Sequence, residues 1–188
     1  APGQPPRDVP HNLYGHGPAL FALKGTPIPP SPLFEYVPMN SVPIKGVGVQ
    51  SMHVGFDAGY DVTYTFDGAT DTWKRSTPLG PHSTVGGGQL APTNVVVQFT
   101  PYSGEAEGIT VGEGDVWVFS DGVVRVGRWV RPDRSKPARY VDPKGETIRL
   151  RPGRTWVELL PVGHQVNITP APTTTTTAVT TTTVKKKQ

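Results

Sequence analysis

His82 is the first place to look for chemistry. It opens the stretch HSTVGGGQLAPTNVVVQF, residues 82–99, where an imidazole is followed by three consecutive glycines, a proline, Asn94 and a run of β-branched residues. Imidazole titrates near neutrality, so a histidine in a polar loop can act as acid, base or metal ligand. Glycine-rich turns can cradle phosphate. This one lacks the Gly-Lys-Ser/Thr end of a P-loop, and no Gly-x-Gly-x-x-Gly opens a helix here. The stretch reads as a turn that launches a strand, with Asn94 locking its side-chain amide onto nearby backbone.

Other reactive constellations are thin. His11, His16, His53, His82 and His164 are scattered with no HExxH spacing, so no metal site is expected. The chain has no cysteine, which excludes disulfides, thiolate nucleophiles and Cys-containing zinc sites. Glu105, Glu107, Glu113, Asp115 and Asp121 lie in turns and loops, and nothing holds two of them at the separation glycoside hydrolysis needs. Ser83 and Ser103 could be drawn into a triad only without a Gly-x-Ser-x-Gly elbow. No cofactor is implied. The reading favours a non-catalytic protein; its rival is a hydrolase with His82 as general base.

Charge is distributed unevenly. Ser76–Val124 contains five acids and no Lys or Arg, whereas Arg125–Arg154 contains ten basic residues against three acidic ones. The basic stretch includes Arg125, Arg128, Arg149 and Arg151, with Trp129 and Tyr140 interleaved. Such a surface suits an anionic envelope polymer or lipid headgroups; another envelope protein is the alternative partner, and nucleic acid is disfavoured. The bland reading is that these arginines are the outward face of strands. In TIRLR, Ile148 and Leu150 point one way, and Arg149 and Arg151 the other. The net charge of +3 equals that of the terminal Lys triplet, so the basic balance of the whole chain says little. Trp73, Trp117, Trp129 and Trp156 each fall in an expected strand, as buried anchors or as a stacking platform for sugar or peptide.

The elements that must position these groups are strands. Of 188 residues, 22 are Pro and 22 Gly, and 18% are charged, a composition of many turns and little helix. ALFALK (19–24) is the one short helix expected, stopped at Gly25. From Val47 onward β-formers alternate or cluster in VGVQSMHVGF and YDVTYTF. The Asp-Gly pairs of FDGAT and SDGVV signal hairpins, and VDPKGET, with Pro at the second turn position and Gly at the fourth, suits a type I turn. TIRLRPGRTWVELL reads as two strands around RPGR. The sum is an all-β body, a mostly antiparallel sandwich or open barrel of roughly eight short strands. Three regions follow: an extended Pro-rich segment over 1–46, the β domain over 47–168, and a disordered Thr/Lys tail over 169–188. No run is long and apolar enough to span a membrane. The first fifteen residues lack the apolar region of a leader, so either the protein is cytosolic or a leader and upstream segment are expected ahead of them.

YDVTYTFDGATDTWKRSTPLGPHSTVGGGQLAPTNVVVQF resembles the start of the C-terminal domain of the DUF3048 (YerB-like) family. The matching positions are Trp73, Arg75, Gly80, His82, Leu90, Asn94, Val95 and Val97, then Gly122, Trp129 and the closing GETIRLRPGRTWVELLP. VPHNLYG and PLFEY resemble the end of the family's N-terminal domain. The family pattern places an acid two residues after the histidine; here that position is Thr84. The resemblance implies a bacterial envelope protein, lipid-anchored or secreted, and so an extracytoplasmic location. The residues themselves are read as two surfaces: Arg75, His82 and Asn94 form one polar corner, and the 125–154 arginines form a second.

Overall fold

A computed structural model describes residues 16–22, 31–57, 59–104 and 107–172. His11, Lys24, Gly25, Glu105 and most of the Thr/Lys tail lie outside these residues. The chain divides into a short unit through Ser31 and a large unit from Pro32. In the short unit, α1 (Gly17–Ala22) is a six-residue helix with no buried side chain.

The large unit carries twelve strands among its described residues: β1 (Val47–Val54), β2 (Val62–Asp67), β3 (Thr72–Thr77), β4 (Gly80–Pro81), β5 (Asn94–Thr100), β6 (Tyr102–Ser103), β7 (Glu107–Gly108), β8 (Gly112–Ser120), β9 (Val123–Arg131), β10 (Arg139–Val141), β11 (Thr155–Pro161) and β12 (Val166–Pro170). Ten form one sheet in the order β11-β5-β8-β9-β1-β2-β3-β4, with β10 beside β9 and β12 beside β1; β6 and β7 form a separate ribbon. The sheet curls into a half-barrel. The all-β, mostly antiparallel, open-barrel expectation holds, with ten strands in the main sheet and one parallel pair, β11 on β5.

Turn chemistry sets much of the register. At the β8–β9 hairpin Asp121 and Gly122 have φ of 60° and 70°, the left-handed pair that a two-residue turn matching the strand twist requires. FDGAT behaves differently. Gly68 stays out of the left-handed region and Asp71 takes it at φ 51°, so the β2–β3 loop is longer than a two-residue Asp-Gly turn. At VDPKGET the Asp142 carboxylate accepts from the amides of Lys144 (2.8 Å) and Glu146 (2.9 Å), an Asx-type lock.

Two cores flank β5. Val95 and Val97 pack inside the half-barrel with Val49, Met52, Tyr64, Trp73 and Phe119. Val96 packs outside with Val116, Val118, Trp129, Tyr140, Ile148 and Leu150. NVVVQF reads as an unbroken apolar run because both faces of the strand are covered. The curl ends where β3 meets the approach to β5: the amides of Trp73 and Arg75 donate to the carbonyls of Pro92 (2.8 Å) and Leu90 (2.9 Å).

Three segments differ from the sequence reading. TIRLR does not form a strand beside β11. It runs as a covering segment that touches Val141 and Tyr36 through single bridges, burying Ile148 and Leu150 on the outer core. The segment that resembles the end of the family's N-terminal domain lies on the β unit itself: Phe34 stacks on Tyr140 at 5.9 Å, and the amide of Val37 donates to Leu150 O at 2.9 Å. Sheet pairing also continues past 168, with Thr169 and Pro170 opposite Ser51 and Val49.

Candidate functional site

Arg75 lies on the inward face of β3 and is 8% exposed. The neighbouring strands provide its partners. Across β2, the Tyr64 hydroxyl accepts from Arg75 Nε at 3.0 Å. From β11, Glu158 Oε1 accepts from Arg75 Nε and Nη2, both at 3.3 Å. The same carboxylate oxygen accepts from the Tyr64 hydroxyl at 2.5 Å. Glu158 is itself 8% exposed and Tyr64 is fully buried. Trp156, two residues along β11 on the same face, places its ring under the guanidinium with the centroid 4.9 Å from Cζ. Cation, carboxylate, phenol and indole thus make a compact cluster joining three strands. Burial, reinforced by the Glu158 carboxylate, pushes the Tyr64 phenol far up from its ordinary value, so the hydroxyl stays a donor.

His82 joins this cluster from the loop after β4. Its amide donates to Arg75 O (3.0 Å) and its carbonyl accepts from the amide of Leu90 (2.8 Å). Its Nδ1 accepts from Arg75 Nη1, and its ring stands edge-on to Trp156 at 6.2 Å. An arginine cannot accept, so the Nδ1 lone pair is occupied and the neutral ring carries its proton on Nε2. The glycines beyond it form a projecting turn. Thr84 N donates to Gly88 O at 2.8 Å, Gly87 N donates to Thr84 O at 2.9 Å, and Val85 at the tip is fully exposed. The turn reading of the GGG stretch stands.

Asn94 does not belong to that corner. It lies on the opposite face of β5, where Nδ2 donates to Arg151 O (2.9 Å) and Thr155 Oγ1 (3.2 Å), and Oδ1 accepts from the Ser120 hydroxyl (2.6 Å). It is a lock, but on backbone 57 residues away, not on its own turn.

The basic stretch is not one free cationic face either. Arg128 pairs with Glu113 and Asp115 at 3.1 Å each, and Arg149 pairs with Glu35 at 3.3 Å. Arg151 pairs with Asp121 at 2.9 Å and also donates to Ser41 Oγ and Val42 O, holding the covering segment down. Burial works against the Asp121 carboxylate, but the Arg151 guanidinium and the Ile44 amide outweigh it and hold it below the usual range. Arg125 donates to Arg149 O, and burial lowers its guanidinium below the ordinary value. Trp129 is fully buried, with its indole N–H donating to Phe99 O at 2.9 Å, so it offers no surface for stacking. Arg125, Arg149 and Arg151 hold covering segments in place and Arg128 is paired across β8, which is why a linear count of positive charge overstated the surface.

The C-terminal domain of DUF3048, described as a protein of unknown function, matches residues 52–157. The chain belongs to the DUF3048 family. Among solved structures, the crystal structure of YerB from Bacillus subtilis is similar, with a TM-score of 0.53 at 16% identity over 68% of this chain and 47% of YerB. At that identity the likeness is one of fold, and the chain spans about half the length of the YerB structure it matches. No curated protein matches. Within this DUF3048 domain, the Arg75–His82 association suggested by the family pattern is present. Tyr64 and Glu158 were missed. The available signal was parity: Glu158 alternates with Trp156 and Leu160, and a carboxylate on an inward face needs a cation.

Proposed function

We propose that this DUF3048 protein is a non-catalytic binding or scaffold module that works outside the cytoplasm, at the bacterial cell envelope, with an envelope polymer, lipid headgroups or another envelope protein as partner. The observation that carries the non-catalytic part is the engagement of His82 Nδ1 by Arg75. A general base needs a free lone pair aimed at the proton it removes, within reach of substrate. Here that nitrogen faces a permanent cation, and Thr84 stands where the family pattern has an acid. Around it, Arg75, Tyr64 and Glu158 satisfy one another. Membership of DUF3048 and the Thr/Pro-rich end of the chain support the envelope setting.

Co-sedimentation tests the reading. The purified chain is expected to pellet with isolated bacterial cell walls or with envelope membranes, and His82→Ala is expected to leave that retention within about twofold of the parent. Absence of retention on either fraction at low salt, or hydrolysis of wall material that His82→Ala abolishes, would refute it.

A further inference from the structure

A second arginine–carboxylate–indole group lies at the other end of the half-barrel's concave face, and there it is open. β9 meets β1 through Val47–Val124 and Gly48–Val123. Beyond that point β1 follows β2 and β12 instead. The divergence leaves a cleft of about 620 Å³ between Val126–Arg128 on β9 and His164–Val166 at the head of β12, floored by Phe99 and Trp117. Its volume falls within the range of about 300–1,000 Å³ typical of small-molecule sites. The register places Asp115 opposite Arg128 and Trp117 opposite Val126, so the inward positions read apolar at the floor and charged at the rim.

We propose that this cleft binds a saccharide through a neutral pyranose ring. This deepens the envelope-binding reading, on which its biological setting rests. A pyranose has one apolar C–H face and a rim of hydroxyls, and the cleft has the complementary layout. Trp117 and Phe99 stand edge-to-face with centroids 6.3 Å apart and offer a half-buried aromatic floor. Val126 is 50% exposed although it projects to the concave side, an apolar surface that the fold leaves uncovered. At the rim, Arg128 is held flat by Asp115 and Glu113 at 3.1 Å each, a pre-oriented pair of planar groups able to meet adjacent hydroxyls. His164 donates through Nδ1 to Gly55 O at 3.0 Å, which fixes its tautomer and leaves Nε2 as an acceptor. Gln165 also lines the cleft. The rim balances Arg128 against two carboxylates, so it does not suit a phosphate.

The test is a titration of the whole chain with chitotriose, cellotriose and maltotriose, followed by tryptophan emission and calorimetry. At least one is expected to bind saturably, with Asp115→Ala and Arg128→Ala each weakening it about tenfold or more. Both positions are solvent-exposed, so the variants are expected to fold. Trp117→Phe is expected to weaken binding and abolish the emission change, whereas Arg154→Ala, in a separate cleft that Leu90, Pro92 and Trp156 line, changes neither. Absence of saturable binding to all three sugars, binding indifferent to Asp115 and Arg128, or displacement of the sugar by a proline-rich peptide that binds more tightly would overturn the assignment. Retention on cell walls despite such a failure would leave the envelope reading standing on another surface. Sugar binding without such retention would sink that reading and keep the cleft.

Discussion

The concave face of the half-barrel carries the same chemistry twice. At one end Arg75, Glu158 and Trp156 meet with their charged side chains 10% exposed; at the other Arg128 pairs with Asp115, 49% and 71% exposed, in a cleft that Trp117 also lines. Where β3 closes onto the approach to β5, water is excluded and the polar groups must satisfy each other, so Tyr64 and His82 are drawn in. Where β9 and β1 part, the ion pair stays solvated and its donors and acceptors can be redirected to a ligand. Composition is therefore a poor guide to role. The distance between two strand edges decides whether an arginine and a carboxylate pin the fold or present a surface.

The largest effect should follow from breaking the closed end. Glu158→Ala leaves a buried guanidinium without its carboxylate, and a stability loss of about 3–5 kcal/mol is expected by denaturant unfolding. If the group is a pin and not a reagent, charge itself is dispensable. A triple variant, Arg75→Met, Glu158→Leu and Tyr64→Phe, should recover most of that loss while leaving wall retention unchanged. Failure of the triple variant to recover would mean that the cluster does more than close the sheet.

The closed end should also show in alkaline stability. Burial pushes Tyr64 up far above its ordinary 10.0 and Tyr140 up to about 12. A group whose folded value is raised contributes stability that is fully present below the unfolded value and is lost as pH climbs toward the folded one. The melting temperature should be flat from about pH 7 to 9 and fall above pH 10. Tyr64→Phe should lower it at pH 7, because Glu158 loses a donor, and make the alkaline fall shallower. An unchanged alkaline slope in Tyr64→Phe would argue that the phenol is not buried as described.

The two ends were unequally legible. The strands and the β8–β9 turn follow from runs of β-formers and turn residues, which are local; the unbroken run of β5 gives no inward parity, because both of its faces are covered. Arg75 and His82 could be paired because a family pattern places them seven residues apart around one hairpin-like loop. Glu158 could not, since its partner is 83 residues away and arrives through the parallel β11–β5 pairing, which no local signal announces. Asn94 was read as a lock, but its target, the carbonyl of Arg151, belongs to a segment whose path depends on the outer core. The arginines misled for the same reason. Glu35 and Asp121 are distant in sequence from Arg149 and Arg151, so those pairings are invisible until the covering segments are placed, whereas Asp115 faces Arg128 across the local β8–β9 hairpin.

The smallest effect is the most discriminating. A double-mutant cycle on Arg128 and Asp115 should return a coupling of about 1 kcal/mol or less, because an exposed pair gains little over its separate hydration. Raising the salt should erase it, since solvent-facing charges are screened. The corresponding cycle on Arg75 and Glu158 should return several times more and change little with salt. A strong, salt-resistant coupling at Arg128–Asp115 would mean that the pair is spent on holding β8 to β9, and the rim would then have nothing to offer a hydroxyl. A weak coupling, together with a tenfold loss of saccharide affinity in either single variant, would show that groups nearly idle in folding do their work on a ligand.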